Sequence, residues 1–178
     1  IDLMADVLKS FIKELPENDP FQPVAKNIPL INQLIENGYT GRKGKGGFYR
    51  MNKENNQKIL EAINLDSGEY SPSKKIDLKI EITDINNLIS RKDKYGDYAW
   101  SVISKIIKYA SSLVPGITDK FNDIDEAMRL GFNWAMGPFE MLKEIGVKNF
   151  FERVDETEGN KFLEDLSKSK NENFYGER

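Results

Sequence analysis

Leu3, Met4, Val7, Leu8, Phe11, Ile12 and Leu15 recur every three or four positions. That spacing predicts an amphipathic helix, ended by Pro16, whose apolar stripe needs a surface to pack on. Glu17 to Pro23 reads as a polar, proline-bearing connection. Pro29 opens a second helix through Leu30, Ile31, Leu34 and Ile35, closed by Gly38. The pattern then changes. Asn52 to Asn56 is polar, and Ile59 to Leu65 and Tyr70 flank Asp66-Ser67-Gly68-Glu69, which predicts two short strands around a turn. Ser71 to Lys75 reads as a linker, Asp84 to Ile89 as a short helix and Arg91 to Gly96 as a charged loop.

The longest helix is expected over 97–114. Ala99, Ile103, Ile106, Ile107, Ala110, Leu113 and Val114 mark its face, and Pro115-Gly116 stops it. The segment from Asp123 to Glu140 then reads as helix, glycine stop, short loop, helix. Asp123 with Glu126 has the spacing of a capping box, Ile124, Ala127 and Met128 share a face, and Gly131 suits a left-handed stop. Gly137-Pro138 restarts a helix with Phe139, Leu142 and Ile145 on its apolar side, and Gly146 ends it. Asp123, Asp125 and Glu126 read as capping and a solvated first turn, where the helix dipole favours carboxylates, rather than as a metal site. Val147 to Val154 and Phe162 to Leu166 predict shorter helices before a polar tail over 168–178.

Composition narrows the chemistry. The chain has 178 residues, a net charge of −3, no histidine and no cysteine. Catalysis by a Ser-His or Cys-His pair is therefore excluded, as are ordinary zinc sites. Scattered basic residues argue against a nucleic-acid surface. No apolar run reaches membrane-spanning length, and no signal peptide is visible. A cysteine-free chain fits a cytoplasmic location. The first residue is Ile1, which suits a piece of a longer protein.

Gly41-Arg42-Lys43-Gly44-Lys45-Gly46-Gly47-Phe48-Tyr49 is a basic, glycine-rich loop. It lacks the Gly-Lys-Ser/Thr ending and following helix of a Walker loop, and the preceding strand and spacing of a dinucleotide fingerprint.

The stretch Asp123-Ile124-Asp125-Glu126-Ala127-Met128 through Gly137-Pro138-Phe139-Glu140 resembles the signature of the C-terminal domain of 3-hydroxyacyl-CoA dehydrogenases. The glycine-rich loop resembles the segment that closes the first helical domain of the same family. The resemblance implies tandem C-terminal helical domains of a long, multifunctional bacterial β-oxidation protein. It implies a mainly α fold, like the C-terminal domain of 6-phosphogluconate dehydrogenase, with a small β-hairpin in the connector. Residues 1–50 would be the end of the first helical domain, 51–96 the connector, and 97–178 a second, non-catalytic helical domain. Phe48 and Tyr49 would be buried anchors, matched loosely by Phe174 and Tyr175 in the second repeat.

In this family, NAD binds an upstream Rossmann domain, and a histidine oriented by a glutamate takes the hydroxyl proton. This sequence has neither histidine nor glycine fingerprint, so the piece alone is expected to be inactive and to bind no NAD. Counting back from Asp123, the position of a substrate-holding asparagine falls at Trp100. No catalytic, cofactor-binding or metal residues are expected here. Lys43 and Lys45 are the residues with the charge to touch CoA phosphates. The acyl-CoA substrate would be met through the upstream domain, and helical domains of relatives dimerise. The alternative is a stand-alone helical binding or assembly module without redox activity.

Overall fold

The computed structural model describes residues 1–26, 28–54, 57–75, 84–154, 160–169 and 174–175. The chain divides into two compact units, Ile1–Lys79 and Ile80–Arg178.

The first unit holds helices α1 (Asp2–Glu14) and α2 (Pro29–Glu36) and strands β1 (Tyr49–Glu54), β2 (Gln57–Ile63) and β3 (Tyr70–Pro72). Both helices fall where the periodicity places them. The strands form an antiparallel sheet in the order β1-β2-β3. The β2–β3 hairpin was legible from its turn. The β1–β2 pairing, with Met51 opposite Leu60 and Arg50 opposite Glu61, was not, because β1 is largely polar. Its polar residues face a polar interior. Arg50 Nε donates to Glu61 Oε2 at 2.6 Å, Asn52 Nδ2 donates to Glu61 Oε1 at 3.1 Å, and the Arg50 guanidinium lies 4.0 Å from the Tyr70 ring. Glu61 is buried, so this ladder of bonds replaces the apolar alternation expected of a half-buried strand. The opposite sheet face is apolar and exposed at Tyr49, Met51 and Leu60. The expectation that Tyr49 is a buried anchor does not hold within this unit, where it is 61% exposed; Phe48 is half-buried.

The second unit is helical: α3 (Ile85–Ile89), α4 (Lys94–Ser112), α5 (Phe121–Phe132), α6 (Pro138–Ile145), α7 (Val147–Arg153) and α8 (Lys161–Ser169). Asp84 caps α3 by accepting the Asn87 N–H. The charged stretch before α4 is partly helix, because Asp93 caps it by accepting the Tyr95 and Gly96 N–H groups. Gly96 is needed there, since a Cβ would sit 2.2 Å from the Arg91 carbonyl oxygen. The core joins Ile89, Ile107, Leu142, Ile145, Phe150 and Leu163 from five helices. The described residues are mainly α, as expected, with a three-stranded sheet where a two-stranded hairpin was expected. The connector over 76–83 and most of the tail lie outside the described residues.

Candidate functional site

The signature segment folds around one carboxylate. Helix α5 begins at Phe121, after Lys120, so Asp123 lies in its first turn and is not the cap. Thr118 Oγ1 donates to Asp123 Oδ2 at 3.1 Å. The earlier start brings Phe121 into a ring cluster, with centroids 5.3 Å from Phe139, 5.8 Å from Phe162, 5.5 Å from Phe174 and 5.4 Å from Tyr175. Gly131 also departs from its expected role. It stays inside α5, and Asn133 takes the left-handed turn at φ 54°. Asparagine tolerates that region, which let the helix run past the glycine.

Asp125 corrects the picture most. It was expected in a solvated first turn, yet it is fully buried. Its Oδ1 accepts the Phe139 N–H at 2.8 Å; Oδ2 accepts the Glu140 N–H at 3.0 Å and the Tyr175 hydroxyl at 2.7 Å. The physical reason lies in α6. Gly137 at its N-cap has no side chain to satisfy the first-turn amides, so a carboxylate from α5 does so. Gly137 also lets the two helices touch: a Cβ there would lie 2.2 Å from Asp125 Oδ1 and 2.4 Å from Asp125 Cα. Glu140 completes the turn, accepting the Gly137 N–H at 2.9 Å and pairing with Arg129.

Burial pushes the Asp125 carboxyl above its ordinary value, while the bonds from Tyr175, Phe139 and Glu140 oppose that rise. Burial and the bond to Asp125 push the Tyr175 phenol well upward. The donors therefore hold chain segments together: one carboxylate ties α5 to α6 and to Tyr175. A sequence signal for this existed. A helix opened by Gly-Pro carries first-turn N–H groups and no local acceptor, so an upstream acid had to be sought.

The other expected site residues lie apart from this junction in the chain. Lys43 is an exposed turn residue. Lys45 is engaged at the end of α2, where its Nζ donates to the Asn37 carbonyl at 3.0 Å, and it lies 5.9 Å from the Tyr39 ring centre. Several of the loop's amides are already bonded. Gly41 donates to Gly46 O, Gly44 to Gly41 O and Lys45 to Gly38 O. A strand, not a helix, follows. These residues therefore do not fit the phosphates of NAD, which require convergent free N–H groups at a helix start.

Trp100 serves as packing. Its ring lies 5.7 Å from Phe150 on one side and 4.0 Å from the Arg153 guanidinium. Arg153 also donates to the Ile89 carbonyl at 3.1 Å, joining α7 to α3. A groove of about 470 Å³ beside this contact is lined by Asn86, Asn87, Asn149 and Arg153. Among the described residues, no three acids gather as metal ligands. None of the described helices is long and apolar enough to cross a membrane.

Comparison with known proteins places this architecture. Residues 99–171 match the family of the 3-hydroxyacyl-CoA dehydrogenase C-terminal domain. A Rickettsia prowazekii protein named as a fatty acid oxidation complex trifunctional enzyme is 39% identical over 83% of this chain, and a Rickettsia felis protein of the same name is 39% identical over 79%. A Bacillus subtilis protein named as a 3-hydroxyacyl-CoA dehydrogenase is 29% identical over 88%. The chain spans about a fifth of the length of these relatives: 20%, 19% and 23% respectively. No solved structure matches it significantly. With its signature folded as one helix–turn–helix junction inside the matched stretch, residues 99–171 are similar to the 3-hydroxyacyl-CoA dehydrogenase C-terminal domain, and the chain around them is similar to part of these longer relatives.

Proposed function

We propose that this chain is the C-terminal part of an NAD-dependent 3-hydroxyacyl-CoA dehydrogenase of fatty-acid β-oxidation, oxidising 3-hydroxyacyl-CoA to 3-oxoacyl-CoA. In this reading the two units are the end of one helical domain and a second, non-catalytic one. The second supplies scaffolding that takes the place of a partner subunit, and the protein works in the cytoplasm. The observation that carries the reading is the family match over 99–171, centred on the Asp125 junction.

Two features support inactivity of the piece alone. The reaction needs a base of near-neutral pKa beside the substrate hydroxyl, and the chain has no histidine. In the glycine loop, the amides of Gly41, Gly44, Lys45 and Gly47 are bonded to carbonyls of the loop and of Gly38, and a strand rather than a helix follows. NAD and the acyl group would therefore be held by other parts of the polypeptide. Within this chain, Lys43 is the freer of the two lysines for a CoA phosphate, because Lys45 Nζ is bonded to α2.

The test is turnover of acetoacetyl-CoA with NADH. The complete polypeptide is expected to oxidise NADH, and residues 1–178 alone are expected to show none. Lys43→Ala in the complete polypeptide should raise KM with little change in kcat. Turnover by residues 1–178, or none by the complete polypeptide, would overturn the reading.

A further inference from the structure

Asn37-Gly38 is the one Asn-Gly pair in the sequence, and it stands where α2 stops. The Tyr39 N–H donates to the Leu34 carbonyl at 2.7 Å and the Gly38 N–H to the Ile35 carbonyl at 2.9 Å, with Gly38 left-handed at φ 79°. A helix stop of this kind takes glycine, because a Cβ is disfavoured at that φ. The same lack of a Cβ leaves the Gly38 nitrogen unshielded next to an asparagine side chain. The residue type that the stop needs is the one that makes the pair chemically labile.

The chemistry is an intramolecular substitution. Gly38 N loses its proton to solvent and attacks Asn37 Cγ, and Nδ2 leaves as ammonia. Water then opens the succinimide ring, at Cγ to give aspartate or at the main-chain carbonyl to give isoaspartate. The fold obstructs the first step. Asn37 has ψ 0°, so Gly38 N eclipses Asn37 N and lies a third of a turn from Cβ, which it must eclipse for the ring to close. That rotation breaks the Gly38–Ile35 bond and swings the Asn37 carbonyl away from Lys45 Nζ, which donates to it at 3.0 Å. The Lys45 N–H holds the next carbonyl, that of Gly38, also at 3.0 Å. The leaving group is tied too, because Asn37 Nδ2 donates to the Gln33 carbonyl at 2.8 Å. Asn37 is exposed, so water and base reach it once this corner opens.

We propose that Asn37-Gly38 is a deamidation site held closed by the end of α2 and by Lys45, and that its isoaspartate product keeps the glycine-rich loop from closing again. Isoaspartate adds a methylene to the main chain ahead of Gly38, whose carbonyl secures Lys45. It also leaves a carboxylate at a helix C-terminus, where the dipole disfavours negative charge. Nothing in this depends on the dehydrogenase reading.

Peptide mapping by mass spectrometry tests it on the complete polypeptide, held in mildly alkaline buffer with and without guanidinium chloride. Conversion at Asn37 is expected to be at least tenfold faster in the denaturant. Lys45→Met should speed conversion several-fold in buffer, by removing the bond to the Asn37 carbonyl, and should change nothing in the denaturant. Equal rates with and without denaturant would overturn the proposal, as would no conversion in the denaturant or a Lys45→Met rate in buffer like that of the parent. Hydrogen exchange then compares converted with unconverted polypeptide. The Gly41 and Lys45 amides are expected to exchange several-fold faster after conversion. Unchanged exchange would overturn the effect on the loop and leave the closed site standing.

Discussion

Tyr49 and Tyr175 each complete a Phe-Tyr pair that follows a short helix, and only Tyr175 has found its acceptor. The difference teaches that a Phe-Tyr pair does not anchor itself. It anchors where a buried carboxylate and a ring cluster wait, and both are built by helices distant in sequence. The second unit supplies them through α5 and α6. The first buries a polar interior, Arg50 on Glu61 between Tyr39 and Tyr70, and turns its apolar faces outward.

The largest effect is expected from Gly137→Ala. A methyl group 2.2 Å from Asp125 Oδ1 must push α5 off α6, and overpacking of this kind costs about 3 kcal/mol. Both tryptophans, Trp100 and Trp134, lie in the second unit, so their fluorescence in urea reads that unit alone. An unshifted midpoint would mean the helices are not held at this distance. Asp125→Ala leaves two first-turn amides and a phenol without their acceptor, at a cost of about 2–3 kcal/mol. If the tryptophan melt is unchanged, the junction is not what secures the unit.

The direct comparison is a pair of hydroxyl deletions in residues 1–178. Tyr175→Phe removes a bond to a buried carboxylate and should destabilise the second unit by about 1.5 kcal/mol. Tyr49→Phe should change nothing measurable there. Equal effects would erase the contrast between the units.

Gly131→Ala should act in the opposite direction. The glycine is inside α5 with nothing within 4 Å of an added Cβ, so alanine should stabilise the helix by about 0.5–1 kcal/mol. A loss of stability would reveal a contact on that face.

The smallest expected effect is in the pH profile, where the units carry opposite signs. Bonds from Arg50 and Asn52 hold Glu61 below the usual carboxylate range. Its contribution is complete above the unfolded value and is lost as pH falls through the depressed one. Burial raises Asp125. Its folded form binds a proton more readily than its unfolded form, so the cost of ionising it is absent at low pH and appears as pH rises through the raised value. Acid should therefore weaken the sheet, followed by β2 hydrogen exchange, before the tryptophan melt. Parallel loss in both units would contradict these assignments.

Legibility followed the range of the physics. Helices α1, α2, α4 and α6 show in the sequence because periodicity, proline starts and glycine stops act within a few residues. Strand β1 does not, because its polar residues are stabilised by Glu61 across the sheet. The glycine-rich loop was separable from a phosphate cradle by spacing alone, and the strand that follows it, with the bonded amides of Gly41, Gly44, Lys45 and Gly47, gives the reason. Asp123 was given the cap since the capping-box spacing is local, whereas the start of α5 is set by where Phe121 packs.

The sequence by itself determined the helical spans, the family signature and the absence of imidazole and thiol chemistry, all of which are properties of neighbouring residues or of composition. Only the tertiary structure decided that Asp125 is buried, that Gly137 must lack a Cβ and that Tyr49 stands in water while Tyr175 does not. Those outcomes depend on which helices meet. A carboxylate's surroundings, unlike its chemistry, are fixed by groups that lie twelve or fifty residues away along the chain.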